Sequence, residues 1–308
     1  MSIFPLLTPI FVGLDVQLDG IFLVAARKHW HSFCIEKVAW TALPEGVWTD
    51  GRIRKWEIFR EIIADLVQEN HLQGTIASLC LPMQMVRVKQ IQVPTGVSDE
   101  AIRAEIFSAL ERDFPGMKDV LSIDFTVLAH TSDAYQTVSF VAARQDYLME
   151  YTEVAQAAGL NVKVMDVDLY SLQRLLKKLM PMPEKKQKYL ALYFMASSAI
   201  VFGFDQKDIL FYQQWDIILT PSTLSLLKKY IDDLVLARNF SSFTLVVIGT
   251  NEHADIIRDE ANLWGFSCVF PPFLSQITYQ NPQLKIDLQQ KNFLLAMSLI
   301  QREMPHWT

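Results

Sequence analysis

The sequence predicts an α/β protein made of two similar halves, with a small α+β unit inserted into the first. Three observations predict it. Apolar runs in the order three strands, helix, strand, helix, strand, helix occur twice, about 180 residues apart. Residues 82–143 carry a pattern with no counterpart in the second half. Between the halves stands a proline-bearing charged link, Pro181-Met182-Pro183 followed by Glu184, Lys185, Lys186, Gln187 and Lys188.

In order along the chain, residues 10–16 and 21–27 are apolar runs joined by a short link ending in Asp19-Gly20, a hairpin signal, and a third run follows at 33–40. Ile53, Trp56, Phe59, Ile63, Leu66 and Val67 then recur at helical spacing, and 75–81 reads as a buried strand. Leu148, Tyr151, Ala155 and Ala158 share one helical face that stops at Gly159. Val162, Val164 and Val167 read as a strand, with Asp168 placed to cap a helix running to about Met180. In the second half, 189–195, 199–204 and 209–215 read as strands, followed by helix 223–237, strand 243–249, helix 252–264, strand 266–270 and a closing helix 288–300. The unmatched stretch reads as strand 85–93, helix, strand 120–128 and strand 136–143. Its helix opens after Ser98 with Asp99 and Glu100 and keeps Ile102, Ile106, Ala109 and Leu110 on one side.

This repeated order is that of a duplicated ribonuclease-H-like domain, the actin-like fold. The first half is assigned to 1–81 and 144–187, with a closing helix within 286–308 free to pack back on it. The insert is 82–143. The second half is 188–285, where the 27 residues between Trp215 and Phe243 leave room for a single helix, so that its outer subdomain is shortened or missing.

Composition narrows the function. With 28 basic and 34 acidic side chains the net charge is −6, which argues against a protein that gains affinity by neutralising nucleic-acid phosphates. Cys34, Cys80 and Cys268 are widely spaced and form no CxxC pair, so neither a disulfide framework nor a zinc site is expected, and the cell interior is the expected compartment. The chain has 11 glycines in 308 residues, about half the usual share of roughly 7%, a poor supply for loops that wrap phosphates with bare backbone. No segment is expected to span a membrane: 1–14 carries Pro5 and Pro9, 189–204 is short, and 261–284 is broken by Pro271, Pro272 and Pro282.

Several segments carry a family resemblance: Val12-Gly13-Leu14-Asp15-Val16 at the first hairpin, the run 43–53 (LPEGVWTDGRI), Val141-Ala142-Ala143-Arg144 before a helix, and Ala158-Gly159-Leu160 leading to Val164-Met165-Asp166-Val167-Asp168. On these the chain resembles PilM, the actin-like family of type IV pilus machines, together with its divergent relatives in DNA-uptake systems. The insert sits where that family and its FtsA-like relatives carry an extra subdomain. The resemblance implies a non-enzymatic cytoplasmic adaptor, peripheral at the inner membrane. It would hold the cytoplasmic N-terminal peptide of a PilN-like inner-membrane protein in a cleft beside the insert, and contact other pilus platform proteins. Many members also bind ATP between the halves.

The nucleotide site that the resemblance would place at Gly13, Asp15, Gln17, Tyr193, Met195 and Gly249 looks vestigial. Gln17 and Leu18 stand where the family has glycine and serine, and Asp19 adds a charge. Two unit charges about 4 Å apart repel by roughly 4 kcal/mol at an effective dielectric near 20. Where the family shows Asp-Ile-Gly-Ala, this chain has Tyr193-Phe194-Met195-Ala196, and a later Gly-Gly appears as Gly249-Thr250. No cofactor is therefore expected, ATP and magnesium being disfavoured. Asp15 also reads as a carboxylate capping a turn.

For the cleft, the two junctions of the insert with its parent single out Met83, Met85, Val141, Ala143 and Arg144. Methionine suits a surface that must fit an apolar peptide and equally suits a core. Arg144 reads as a holder of a peptide carbonyl or carboxylate, or as one side of a surface ion pair. Other constellations are weak. His29 and His31 form no helical pair, Ser197-Ser198 lacks hydrolase surroundings, and Trp30, Trp40, Trp48 and Trp56 read as packing residues. The competing readings are an active actin-like ATPase or sugar-kinase relative and, behind it, a metal-dependent nuclease using Asp15 with Glu57 or Glu61.

Overall fold

A computed structural model describes residues 8–303 apart from 30–31, 114, 117, 131–133, 181–186, 196–197, 206–208, 241, 272–277 and 286–292. The predicted joint at 181–186, Trp30, His31, Ala196, Ser197 and the predicted start of the closing helix therefore lie outside the described residues.

The first half opens with β1 (Ile10–Gln17), β2 (Gly20–His29) and β3 (Ser32–Ala42), a meander of β-branched and aromatic residues paired antiparallel. A two-rung hairpin, β4 (Trp48–Thr49) and β5 (Arg52–Ile53), leads to α1 (Trp56–Glu69) and then β6 (Ile76–Leu81), which pairs parallel with β1. The insert contains β7 (Val86–Pro94), α2 (Asp99–Asp113), β8 (Leu121–His130) and β9 (Tyr135–Arg144), joined as a three-stranded sheet in the order β7-β9-β8. The parent half resumes with α3 (Gln145–Ala157), β10 (Asn161–Val167) and α4 (Asp168–Leu179).

The second half runs β11 (Lys188–Phe194), β12 (Ala199–Phe204), β13 (Ile209–Trp215), α5 (Leu224–Ala237), β14 (Phe243–Ile248), α6 (Asn251–Leu263) and β15 (Ser267–Val269). It is followed by β16 (Thr278–Tyr279) and α7 (Leu294–Glu303). The two main sheets have orders β10-β6-β1-β2-β3-β16 and β13-β12-β11-β14-β15. Each therefore contains the same five-strand plan, an antiparallel meander followed by two parallel strands, and β16 is an addition on the edge of the first. This is the actin-like arrangement.

Layering follows from the apolar faces. Phe59, Ile63, Tyr151 and Val154 of α1 and α3 bury one face of the first sheet against Val12, Leu14 and Leu23. On its other face, α4 and α7 share one core with Phe22, Val24 and Ile35 of the first sheet and with Tyr189, Tyr193 and Phe202 of the second. The halves thus meet through two helices, cross-braced by buried hydroxyls of Ser171 and Ser298 2.7 Å apart. In the insert, Ile102, Ile106 and Leu110 of α2 cover Val138, Phe140 and Ala142 on one sheet face. The opposite face is left to build a groove.

Three local expectations change. Met83–Met85 form one 3₁₀ turn, so β7 starts at Val86 and not at Met85. Asp168 is the first residue of α4, not its cap: its Oδ1 accepts from the N–H of Leu169 (2.6 Å) and also from that of Met83 (3.0 Å), tying the helix start to the 3₁₀ turn. The closing helix, expected to end at 300, runs on to Glu303, and its described part, Leu294–Glu303, presents an apolar stripe from Leu294 to Ile300 that the inter-half core buries.

Candidate functional site

Two concavities flank the junction of β10 and α4. The first lies between the halves and has a volume of about 400 Å³. Five carboxylates line it, those of Asp15, Asp19, Asp50, Asp168 and Asp216, and among the described residues no lysine, arginine or histidine does. Asp15 stands within β1, 1% exposed, where it belongs to the ladder and caps no turn. Its carboxylate accepts a hydrogen bond from Gln17 Nε2 at 2.7 Å, and the Cys80 thiol lies 3.9 Å away. Gln17 Nε2 also reaches the Tyr193 hydroxyl at 3.5 Å, so side chains from the two hairpins meet across the space that a phosphate chain would need.

Burial pushes the carboxyl groups of Asp15 and Asp168 each up to about 7. For Asp15 desolvation outweighs the Gln17 hydrogen bond, and Asp19 adds repulsion. For Asp168 desolvation outweighs the two backbone amides. Burial raises the Cys80 thiol and the Tyr193 hydroxyl in the same way, followed for both by the charge of Asp15.

Of the residues expected here, Asp15, Gln17, Tyr193 and Met195 come together in the pocket, while Gly13 and Gly249 do not line it. Gly13 is a packing residue. A Cβ on it would lie 1.9 Å from the Ala296 carbonyl oxygen, so its bare backbone admits α7 rather than a ligand. Gly249 faces the His253 ring, with Nδ1 2.8 Å from where a Cβ would stand. Glu57 and Glu61, the carboxylates considered for a nuclease, do not line the pocket either; both pair with Arg60 on the α1 surface. No group of three or more His, Cys, Asp or Glu able to hold a metal occurs among the described residues.

The second concavity, about 920 Å³, runs beside the insert. One wall is the uncovered face of the insert's sheet, where register places Ser122 opposite Ala143, Asp124 opposite Val141 and Thr126 opposite Ser139. The other wall is α4, whose Tyr170, Gln173, Arg174, Lys177 and Lys178 recur at helical spacing along the groove, joined by Gln301 and Arg302 from the end of α7. Four cationic side chains, Arg174, Lys177, Lys178 and Arg302, therefore stand against two carboxylates, Asp124 and Asp166, in a chain that is acidic as a whole. Asp166 is 5% exposed and held by Arg174, with Arg302 Nη1 3.4 Å away. Partial burial, and then the charge of Arg174, pulls the Lys178 ammonium down.

Val141 and Ala143 line this groove; Met83, Met85 and Arg144 do not. The 3₁₀ turn carries Met83 into the inter-half pocket, 4% exposed, and lays the Met85 sulfur against Gly51. Arg144 ends β9 pointing to solvent, in a two-point ion pair with Asp146 (2.9 and 2.7 Å) and over the Tyr147 ring. The sequence reading missed Asp168 and Cys80 as pocket residues and the whole α4 wall of the groove. The wall was visible as a polar stripe at 170, 173, 174, 177 and 178.

Comparison with known proteins places these features. The family model described as type IV pilus assembly protein PilM matches residues 13–213. Among solved structures, the chain is similar to one described as a PilM-PilN type IV pilus biogenesis complex, at 16% identity and TM-score 0.76, covering 98% of this chain and 99% of that one. It is also similar to the cytoplasmic domain of EpsL, an inner membrane component of the type II secretion system of Vibrio cholerae. There the identity is 14%, the TM-score 0.50 and the coverage 95% of each chain. Both likenesses are of fold.

Proposed function

The chain belongs to the PilM family of type IV pilus assembly proteins, and from that premise we propose that it works as a non-enzymatic adaptor. Its groove beside the insert takes the cytoplasmic N-terminal segment of a PilN-like inner-membrane protein. What carries the reading is the groove itself: an uncovered sheet face opposite a basic helix, enclosing about 920 Å³. No helix among the described residues is long and apolar enough to cross a membrane, so on this reading the partner supplies the inner-membrane attachment. The acid-lined pocket between the halves argues in the same direction, because a triphosphate entering it would meet five carboxylates.

Isothermal titration with a synthetic peptide of the partner's cytoplasmic N-terminus is the direct test. Micromolar binding is expected. Absence of any heat with demonstrably folded protein overturns the proposal.

A further inference from the structure

α7 presents two polar side chains a turn apart, with opposite fates. The Ser298 hydroxyl is satisfied, 2.7 Å from both the Ser171 hydroxyl and the Leu295 carbonyl. Gln301 is as deeply placed, 3% exposed, yet neither its Nε2 nor its Oε1 has a partner. It lines the groove. Arg174, across from it on α4, spends its terminal nitrogen on Asp166 but leaves its buried Nε without an acceptor. Buried polar atoms in folded proteins are almost always paired, since each has given up its hydrogen bonds to water. One groove thus holds two orphaned donors and one orphaned acceptor.

The N–H and C=O of a single extended residue offer one donor and one acceptor in the same plane, and a side-chain amide meets both at once. We propose that Gln301 is a peptide-binding residue of this groove, pairing through both ends of its amide with the main chain of an extended peptide segment. Arg174 Nε accepts the role of donor to a neighbouring carbonyl. The inference rests on reading the groove as the partner-peptide site. It adds that recognition is anchored on the backbone. With Lys177, Lys178 and Arg302 on the same wall, side chains of the segment facing α4 are uncharged or acidic.

The test titrates the synthetic N-terminal peptide of the PilN-like protein into the full chain and into Gln301→Leu. Replacing an unpaired buried amide by an apolar side chain is expected to leave the melting temperature unchanged or raised, while peptide affinity falls about tenfold. A peptide N-methylated at the paired position should lose affinity for the unaltered protein and lose nothing further in Gln301→Leu. If Gln301→Leu does not fold, Gln301→Met serves in its place. Equal affinity in protein and variant overturns the role of Gln301 and leaves the groove reading standing. No binding to the unaltered, folded protein overturns both.

Discussion

Asp166 and Asp168 stand two residues apart at the junction of β10 and α4, and each serves a different concavity. Both are buried. Asp166 faces the groove and is held between Arg174 and Arg302. Asp168 faces the inter-half pocket, finds only backbone amides, and has its carboxyl pushed up to about 7. One side of the junction is built to carry charge and the other suppresses it. A pocket that held a polyphosphate without a bridging metal ion would need the opposite arrangement, with cations or bare amides where this one has Asp15, Asp19 and Asp168. The contrast supports the proposal that the groove is the working surface and that the cavity between the halves is structural.

The largest expected effect tests the suppressed side. A carboxyl whose folded value is raised from 3.8 to about 7 binds its proton more tightly folded than unfolded. Its share of stability is therefore present below the unfolded value and is lost as pH rises from about 4 to about 7. At pH 8 that loss for Asp15 is on the order of 4 kcal/mol. Asp15→Asn should accordingly stabilise the protein at pH 8 by up to that amount and change little at pH 4, as read by urea unfolding at both values. A variant less stable at pH 8 would mean that the charge is compensated.

Next in size, Gly13→Ala drives a Cβ to 1.9 Å from the Ala296 carbonyl oxygen and should cost about 3 kcal/mol through displacement of α7. Thermal unfolding measures it, and a neutral result would show that α7 does not depend on the bare backbone at Gly13. Val141→Trp fills the groove from the insert side and should weaken the partner peptide about a hundredfold, on the order of 3 kcal/mol, in titration. Unchanged affinity would move the peptide elsewhere. Smaller still, the basic wall should make peptide affinity fall a few-fold between about 50 and 300 mM salt, seen as a slope in the same titrations. At the bottom of the scale, ATP with Mg²⁺ should leave the melting temperature where it is, since only binding to the native state raises it.

How much of this the sequence disclosed depended on how local the cause was. The succession of strands was legible because each of the runs read at 10–16, 75–81 and 189–195 announces its burial by itself. The insert was legible because it breaks a repeat. Gly13 was assigned to a nucleotide site, whereas the atom that needs its bare backbone belongs to Ala296, far along the chain. Met83 and Met85 were misplaced by a single 3₁₀ turn, which rotates them away from β7. Gln301 offered no local signal at all: its significance comes from being buried by α4 with nothing to bond, and that is decided only when two distant helices meet.

The helix at 294–303 also gives the molecule a history. The ribosome delivers the strand at 10–17 early and its covering helix only much later, so the apolar face of the first meander must wait, exposed to whatever else is nearby, while most of the polypeptide is still being made. Assembly of this protein is expected to close in a single late step, and chains interrupted before that helix should be sticky intermediates rather than smaller working versions.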